Sequence, residues 1–128
     1  MTFDDDAGFV SAWIGHAASS NVLDAAVSST YTEDGDSLGS PFGRAFTIEH
    51  YDSAAREARY LERPAQSLEE LLSGASYEDV VVPRLSACAS SPVEGNCVVL
   101  LYDCRHDGPT RWDSEQLALR YVGTVRYR

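Results

Sequence analysis

Four adjacent residues carry the side-chain types of a nucleophilic catalyst. Cys104, Arg105, His106 and Asp107 place a thiol, a base and an acid in one short stretch. In hydrolases that use a Cys–His pair, the two side chains come from separate segments that the fold brings together. Adjacency along the chain therefore gives little support to a cysteine hydrolase.

A second set of residues could perform general acid–base chemistry. Asp52, Glu57 and Glu62 are carboxylates at close spacing, and a pair of carboxylates can catalyse hydrolysis. Arginines alternate with these acids, so a solvated surface of mixed charge accounts for the same residues. A small hydrolase that uses Asp52, Glu57 and a histidine remains the alternative to a binding protein.

The sequence contains no motif of a metal or phosphate site. No histidine has the spacing of a paired metal ligand, and there is no Gly-rich phosphate loop, zinc-binding pattern or nucleophile elbow. We therefore predict a protein that is not an enzyme and that has no metal and no cofactor. The histidines are His16, His50 and His106.

The charge of the chain is strongly negative and unevenly distributed. The formal net charge is -10, and residues 1–43 hold seven acids with no Arg or Lys. Residues 99–128, in contrast, hold five arginines and four acids. An acidic surface repels nucleic acid and anionic lipid and accelerates encounter with a basic partner, although it also serves solubility. We therefore expect neither nucleic acid nor membrane as a partner.

The cysteines and the first residues of the sequence indicate the cytoplasm. Cys88, Cys97 and Cys104 are odd in number and lack the spacing of a disulfide framework, which favours reduced thiols. Residues 1–6 lack the basic and apolar regions of a signal peptide, and no apolar run approaches the roughly 18 residues that a membrane span needs.

Hydrophobic patterns predict a single α+β domain over residues 1–128. Runs rich in β-branched and aromatic residues predict four strands. The order of elements predicts a mostly antiparallel sheet of about four strands with helices packed on one side. The predicted strands are residues 9–16, 45–51, 97–102 and 117–127.

Local capping signals predict the helices. Ser19, Ser67 and Ser76 are N-cap residues, each followed by a helical pattern. In the last helix, Pro83 predicts a kink or a break. Residues 52–63 mix charges around two apolar residues, so they fit helix or strand equally well.

A long loop at residues 32–43 is the first candidate for a binding surface. It contains three glycines, one proline and three acids, and loops of this length in compact domains often bind something. Tyr31 at its start and Phe42 near its end are candidate anchors, although either could instead fill the core. The acids of the loop are Glu33, Asp34 and Asp36.

The two tryptophans have different surroundings. Trp13 lies within the first predicted strand, so we expect it to be buried. Trp112 lies between Arg111 and Asp113 with no apolar run beside it, which makes it a candidate anchor for a partner, since tryptophan is favoured in binding hot spots. A tryptophan in a loop can also fold back onto the core.

A succession of short motifs covers most of the chain, from about residue 10 to residue 103. The motifs are Ala-Trp-Ile-Gly at 12–15, Tyr-Thr-Glu-Asp-Gly-Asp at 31–36, Ser-Pro-Phe at 40–42, Phe46, Ile48, Tyr51-Asp52, Leu-Glu-Glu-Leu-Leu at 68–72, Ser76-Tyr77 and the strand at 96–102. Taken together, these motifs are similar to those of the bacterial immunity protein 22 family of polymorphic toxin systems.

This resemblance implies a cytosolic antidote that binds the catalytic domain of a cognate toxin and blocks it. A toxin that attacks nucleic acid has a basic active-site surface, which an acidic inhibitor would find quickly and occlude. We place the binding face on the loop from Tyr31 to Phe42, and an acidic adaptor or DNA mimic remains a further alternative. The predicted partner-binding residues are Tyr31, Glu33, Asp34, Asp36, Phe42, Asp52 and Trp112.

Overall fold

The computed structural model describes residues 7–48, 55–88 and 94–128. Five strands form one antiparallel sheet in the order β4-β5-β1-β7-β6, and β2 and β3 form a separate hairpin. The strands are β1 Phe9–Ala17, β2 Thr30–Tyr31, β3 Ser37–Gly39, β4 Arg56–Ala65, β5 Gly95–Tyr102, β6 Arg111–Asp113 and β7 Leu117–Arg126. The helices are α1 Ser20–Val27, α2 Pro41–Ala45, α3 Leu68–Leu71 and α4 Glu78–Cys88. The α+β class and the antiparallel sheet are confirmed.

The centre of the sheet is covered on both faces. Strand β5 is buried along almost its whole length, and β1 lies between β5 and β7 with both of its faces buried. The prediction that helices pack on one side is therefore wrong in this detail, because the apolar runs of β1 and β5 need cover on each face. We call the two covers the aliphatic layer and the aromatic layer.

The aliphatic layer contains α3 and α4, and the aromatic layer contains α1 and α2. In the first, leucines and valines of the two helices contact alternate residues of β1, such as Val10 and Ile14. In the second, Trp13 of β1 is fully buried, as predicted, against Phe42 and Phe46. Successive side chains of a strand point to opposite faces, and this alternation divides the core in two.

Gly15 allows an unusually close approach between β1 and β7. A Cβ atom at this position would lie 1.8 Å from the carbonyl oxygen of Ala118. Any other residue would therefore push the two strands apart. The neighbouring Ala17 is tied to β5 by the buried Asn96, whose side chain accepts from the Ala17 N–H at 2.8 Å and donates to its carbonyl at 2.9 Å.

The predicted strand at residues 45–51 is wrong in its described part. The segment begins inside α2, which ends at Ala45, and no strand follows up to Ile48. Ser40 caps α2 with Pro41 in its first turn, and the helical spacing of Phe42 and Phe46 buries both rings together. Burial of the two rings stabilises the helical conformation of this segment over the predicted strand. Residues 49–51 lie outside the described ranges.

Other elements agree with the sequence or settle what it left open. Ser67 caps α3 by accepting from the Glu70 N–H, and α4 continues through Pro83 without a break. The ambiguous stretch becomes strand β4 from Arg56, because it pairs with β5. Within the described ranges, the helices are too short or too polar to cross a membrane.

Candidate partner-binding surface

Residues 30–39, which we call the acidic hairpin, consist of β2, β3 and the turn between them. Its turn is closed by the Thr32 N–H, which donates to the Asp36 carbonyl at 2.9 Å, and by the Gly35 N–H, which donates to the Thr32 carbonyl at 3.0 Å. The Thr32 hydroxyl also accepts from the Asp36 N–H at 3.1 Å. Gly35 has a φ of 90°, a value that other residues rarely adopt. These three hydrogen bonds hold the turn closed.

Exposed carboxylates and exposed apolar side chains lie next to each other on this hairpin. Glu33, Asp34 and Asp36 are all exposed. Tyr31 is 64% exposed and Leu38 is 52% exposed, and large apolar side chains at this level of exposure are few in the described ranges. Apolar side chains beside charge are characteristic of a protein-binding surface.

The hairpin is joined to the core through α2. The Arg44 guanidinium donates to the Leu38 carbonyl at 2.8 Å. Ser40 caps α2 by accepting from the Gly43 N–H at 2.9 Å. Phe42, in the first turn of α2, is fully buried with its ring centroid 4.9 Å from that of Trp13. The acidic hairpin therefore projects from a fixed base.

The structure changes the roles of Phe42 and Trp112. Phe42 was a candidate anchor, but its burial leaves no surface for a partner to touch. Trp112 was a candidate anchor, with folding back onto the core as the alternative; it lies in β6, is only partly exposed, and has its ring centroid 6.4 Å from that of Phe46. Both side chains fill the aromatic layer, because the ring cluster around Trp13 offers them apolar surface. Asp52 lies outside the described residues.

Among the described residues, no ion pair joins an arginine to an acid of the hairpin. Ion pairs between described residues join Arg111 to Asp113 at 3.6 Å and Arg128 to Asp103 at 3.6 Å. Neither pair includes an acid of the hairpin. The three carboxylates therefore add their negative potential to the surface at one projecting point.

The residues of the cysteine hydrolase hypothesis make packing contacts and hydrogen bonds that stabilise the fold. The His106 ring packs against Trp13 and Tyr121, with centroids 5.1 and 4.9 Å away, and its Nε2 lies 2.6 Å from the Pro109 carbonyl. Cys104, the thiol of that hypothesis, is partly buried against the aromatic layer, and its carbonyl accepts from the Ser11 hydroxyl at 2.8 Å. Among the described residues, no group of three or more His, Cys, Asp or Glu could hold a metal ion.

The alternative hydrolase is not assembled either in the described part of the chain. The Glu57 carboxylate accepts from the Tyr102 hydroxyl at 2.6 Å and from the Ser76 N–H at 3.1 Å. These bonds join β4 to β5 and to the segment before α4. Asp52 and His50 lie outside the described residues, and His16 is exposed on β1.

Sequence reasoning missed Leu38 as a surface residue. It stood in a stretch interpreted as a structureless loop, although Tyr31 and Leu38 flank a turn that contains Asp34-Gly35. A glycine after Asp or Asn between two short runs is a hairpin signal. That signal predicts that the flanking side chains lie near each other on one projecting unit.

Of the comparisons with known proteins, one gives a match. The family model described as Immunity protein 22 matches residues 10–128. Searches of curated proteins and of solved structures found no match. The match extends through β6 and β7, beyond the motifs that the sequence alone connected with this family. With nearly its whole length matched, the chain belongs to the Immunity protein 22 family.

Proposed function

We propose that this chain neutralises a cognate toxin by binding it through the acidic hairpin and covering a basic catalytic surface. Membership in the Immunity protein 22 family implies toxin neutralisation, and proteins of such families act as inhibitors without catalysis. The site of action is the cytoplasm of the producing cell. The three cysteines are not joined in disulfides and one of them, Cys88, is exposed, which suits a reducing compartment.

One observation carries the proposal. Three exposed carboxylates stand between two exposed apolar side chains, Tyr31 and Leu38, on a hairpin that closes its own turn. Charges at a projecting point steer a basic partner before contact. An exposed tyrosine then supplies a large rigid surface at low entropic cost once contact is made.

The charge of the whole molecule supports the same orientation. The chain has a net charge of -10, and its first 43 residues contain seven acids and no Arg or Lys. A cationic toxin surface would therefore be attracted from a distance and oriented toward the hairpin. Steering of this kind affects the rate of association more than the final affinity.

The test replaces Glu33, Asp34 and Asp36 together by Ser and measures binding to the toxin domain encoded beside this gene. We expect association to slow about tenfold at low salt and its dependence on ionic strength to flatten, since steering can raise rates by 10-fold or more. Stopped-flow mixing over a series of salt concentrations measures both quantities.

The matched control replaces Glu62, Asp107 and Glu115 by Ser. These three acids are also exposed and their removal changes the net charge equally. If the control slows association as much as the hairpin variant, net charge rather than the hairpin steers binding. If neither variant alters the kinetics, the proposed binding face is wrong.

A further inference from the structure

A second candidate site lies away from the acidic hairpin. A pocket of about 290 Å³ opens between β4, the ends of β5 and β7, and the segment before α4. We call it the tyrosine pocket, because Tyr77, Tyr102 and Tyr127 line it together with Glu57 and Asp103. Tyr102 and Tyr127 belong to the aliphatic layer, whereas the hairpin leads into the aromatic layer.

The three tyrosines form one aromatic wall. The centroid of Tyr127 lies 4.8 Å from that of Tyr77 and 4.9 Å from that of Tyr102, and Tyr77 and Tyr102 are 6.0 Å apart. Tyr77 is 51% exposed, so part of the wall faces solvent. The face of an aromatic ring carries negative charge density and attracts cations.

Two carboxylates flank this wall, each held by a tyrosine hydroxyl. Tyr102 donates to Glu57 at 2.6 Å, and Tyr127 donates to Asp103 at 2.6 Å. The bond from Tyr127, followed by that from the Gly8 N–H, lowers the pKa of Asp103, so this acid is ionised at neutral pH. A carboxylate has about four acceptor positions, which leaves both groups able to accept from a bound cation.

The backbone at the pocket adopts uncommon conformations. Tyr77 and Asp103 have φ values of 60° and 56°, and they are two of the three non-glycine residues with positive φ in the described ranges. A bulky residue such as tyrosine is disfavoured in this region. Conformations of this kind persist where surrounding contacts enforce them, and they concentrate at binding sites.

The chain's own Arg128 shows which chemical group this surface accepts. Its guanidinium carbon lies 5.3 Å from the centroid of the Tyr127 ring, and one of its nitrogens lies 3.6 Å from the Asp103 carboxylate. The Arg128 side chain is 58% exposed and is not one of the residues that line the pocket. A guanidinium thus already engages an aromatic face and a carboxylate here.

We propose that the tyrosine pocket binds an arginine side chain presented by the toxin that the chain neutralises. The planar guanidinium stacks on aromatic rings, donates to carboxylates in a fork and is less strongly hydrated than the ammonium of lysine. Three rings and two acids around one opening match these properties. The proposal rests on the proposed function only for the identity of the partner.

The first experiment tests the pocket without any toxin. The isotopically labelled full chain is titrated with N-acetyl-arginine amide, and with N-acetyl-citrulline amide, which has nearly the same shape but no charge. We expect saturable shifts at the backbone amides of Gly8, Tyr77 and Asp103 with the arginine probe alone. Equal shifts with both probes, or shifts that do not saturate, overturn the proposal.

Two variants of Tyr77 test the contribution of the ring. Tyr77→Phe keeps the ring, whereas Tyr77→Gly removes it and suits the positive φ, so the fold is spared. We expect the arginine probe to bind Tyr77→Phe as it binds the unaltered chain, and Tyr77→Gly about tenfold more weakly, which is within the range of cation–π effects. Equal binding by the two variants contradicts a role for the ring.

The same variants then distinguish the contribution of the pocket to toxin binding from that of the hairpin. Removing the ring should speed dissociation of the toxin domain about tenfold, since contacts made after docking control dissociation. The hairpin variant should instead slow association. If Tyr77→Gly leaves dissociation unchanged, the toxin is not the source of the arginine, and the proposal for the hairpin is unaffected.

Discussion

The acidic hairpin and the tyrosine pocket both present carboxylates, but they hold them in different ways. In the hairpin, Glu33, Asp34 and Asp36 are exposed on a turn that is closed by hydrogen bonds between its own residues. In the pocket, Glu57 and Asp103 are held by hydroxyls of tyrosines anchored in the sheet. Charges free in solvent act at a distance on encounter, whereas charges held in place act on contact. Mutations in the acidic hairpin and in the tyrosine pocket should therefore differ in their effects on the free energy of unfolding as well as on the kinetics of binding.

The largest effect is expected at the base of the hairpin. Phe42→Ala removes a fully buried ring next to Trp13, and such truncations cost about 3–5 kcal/mol of unfolding free energy. Leu38→Ala, at an exposed position on β3, is the control and should cost less than about 0.5 kcal/mol. Urea denaturation measures both. A stable Phe42→Ala variant that no longer binds toxin would restore Phe42 as an anchor.

The hydroxyl of Tyr102 is expected to give the next largest effect. Tyr102→Phe removes the donor to Glu57, and a hydrogen bond to a charged group contributes about 1.5–3 kcal/mol. Tyr31→Phe makes the same atomic change on the hairpin, where the ring is 64% exposed, and should leave stability unaltered. Equal losses in the two variants would mean that the pocket is no more firmly held than the hairpin.

Asp103→Asn should destabilise the chain in a pH-dependent way. The folded-state pKa of Asp103 is lowered, chiefly by the Tyr127 hydroxyl, so its contribution is present above the unfolded pKa of about 3.9. It disappears as pH falls through the lower folded pKa. Because the side chain is 47% exposed, we expect about 1 kcal/mol at pH 7.

Asparagine accepts the positive φ at this position, so the Asp103→Asn variant isolates the charge. The difference in unfolding free energy from the unaltered chain should shrink as pH is lowered from 6 to 3. Asp34→Asn in the hairpin, the matched control, should show no such trend. A difference that stays constant with pH would assign the loss to packing instead.

The smallest effect on stability is expected from the triple Ser variant of the hairpin acids. Neither ion pair between described residues includes these carboxylates, and all three are exposed. Substitutions at such positions usually change the unfolding free energy by less than about 0.5 kcal/mol. Thermal denaturation should therefore give nearly the same midpoint. A large drop would show that the hairpin charges support the fold, which would weaken their interpretation as steering groups.

The strongly apolar strands and the capped helices could be predicted from the sequence because their signals are local. Cys97 to Tyr102 forms part of β5, and Ser67 caps α3 as its sequence indicates. Strand β4 could not be assigned, because its mixed charges have no clear period and pairing with β5 decides its form. The three residues of β6 are too few to carry a pattern.

The candidate sites also include features that local sequence predicts and features that depend on distant segments. The exposure of Glu33, Asp34 and Asp36 followed from a loop rich in glycine and acids. The burial of Phe42 and Trp112 depends on rings that come from distant segments. The tyrosine pocket is likewise formed by residues at β4, at the ends of β5 and β7 and before α4. These segments are distant in sequence, so no local pattern predicts the pocket.

The close approach at Gly15 has a consequence for how members of the family can be recognised. Ala-Trp-Ile-Gly at 12–15, a motif that indicated the family, consists of a glycine without room for a side chain and residues that are fully buried. The motif therefore reflects how the core is packed. It identifies the fold and carries no information on which toxin is bound. We expect the exposed side chains to determine which toxin is bound, because they can change without disturbing the buried motif.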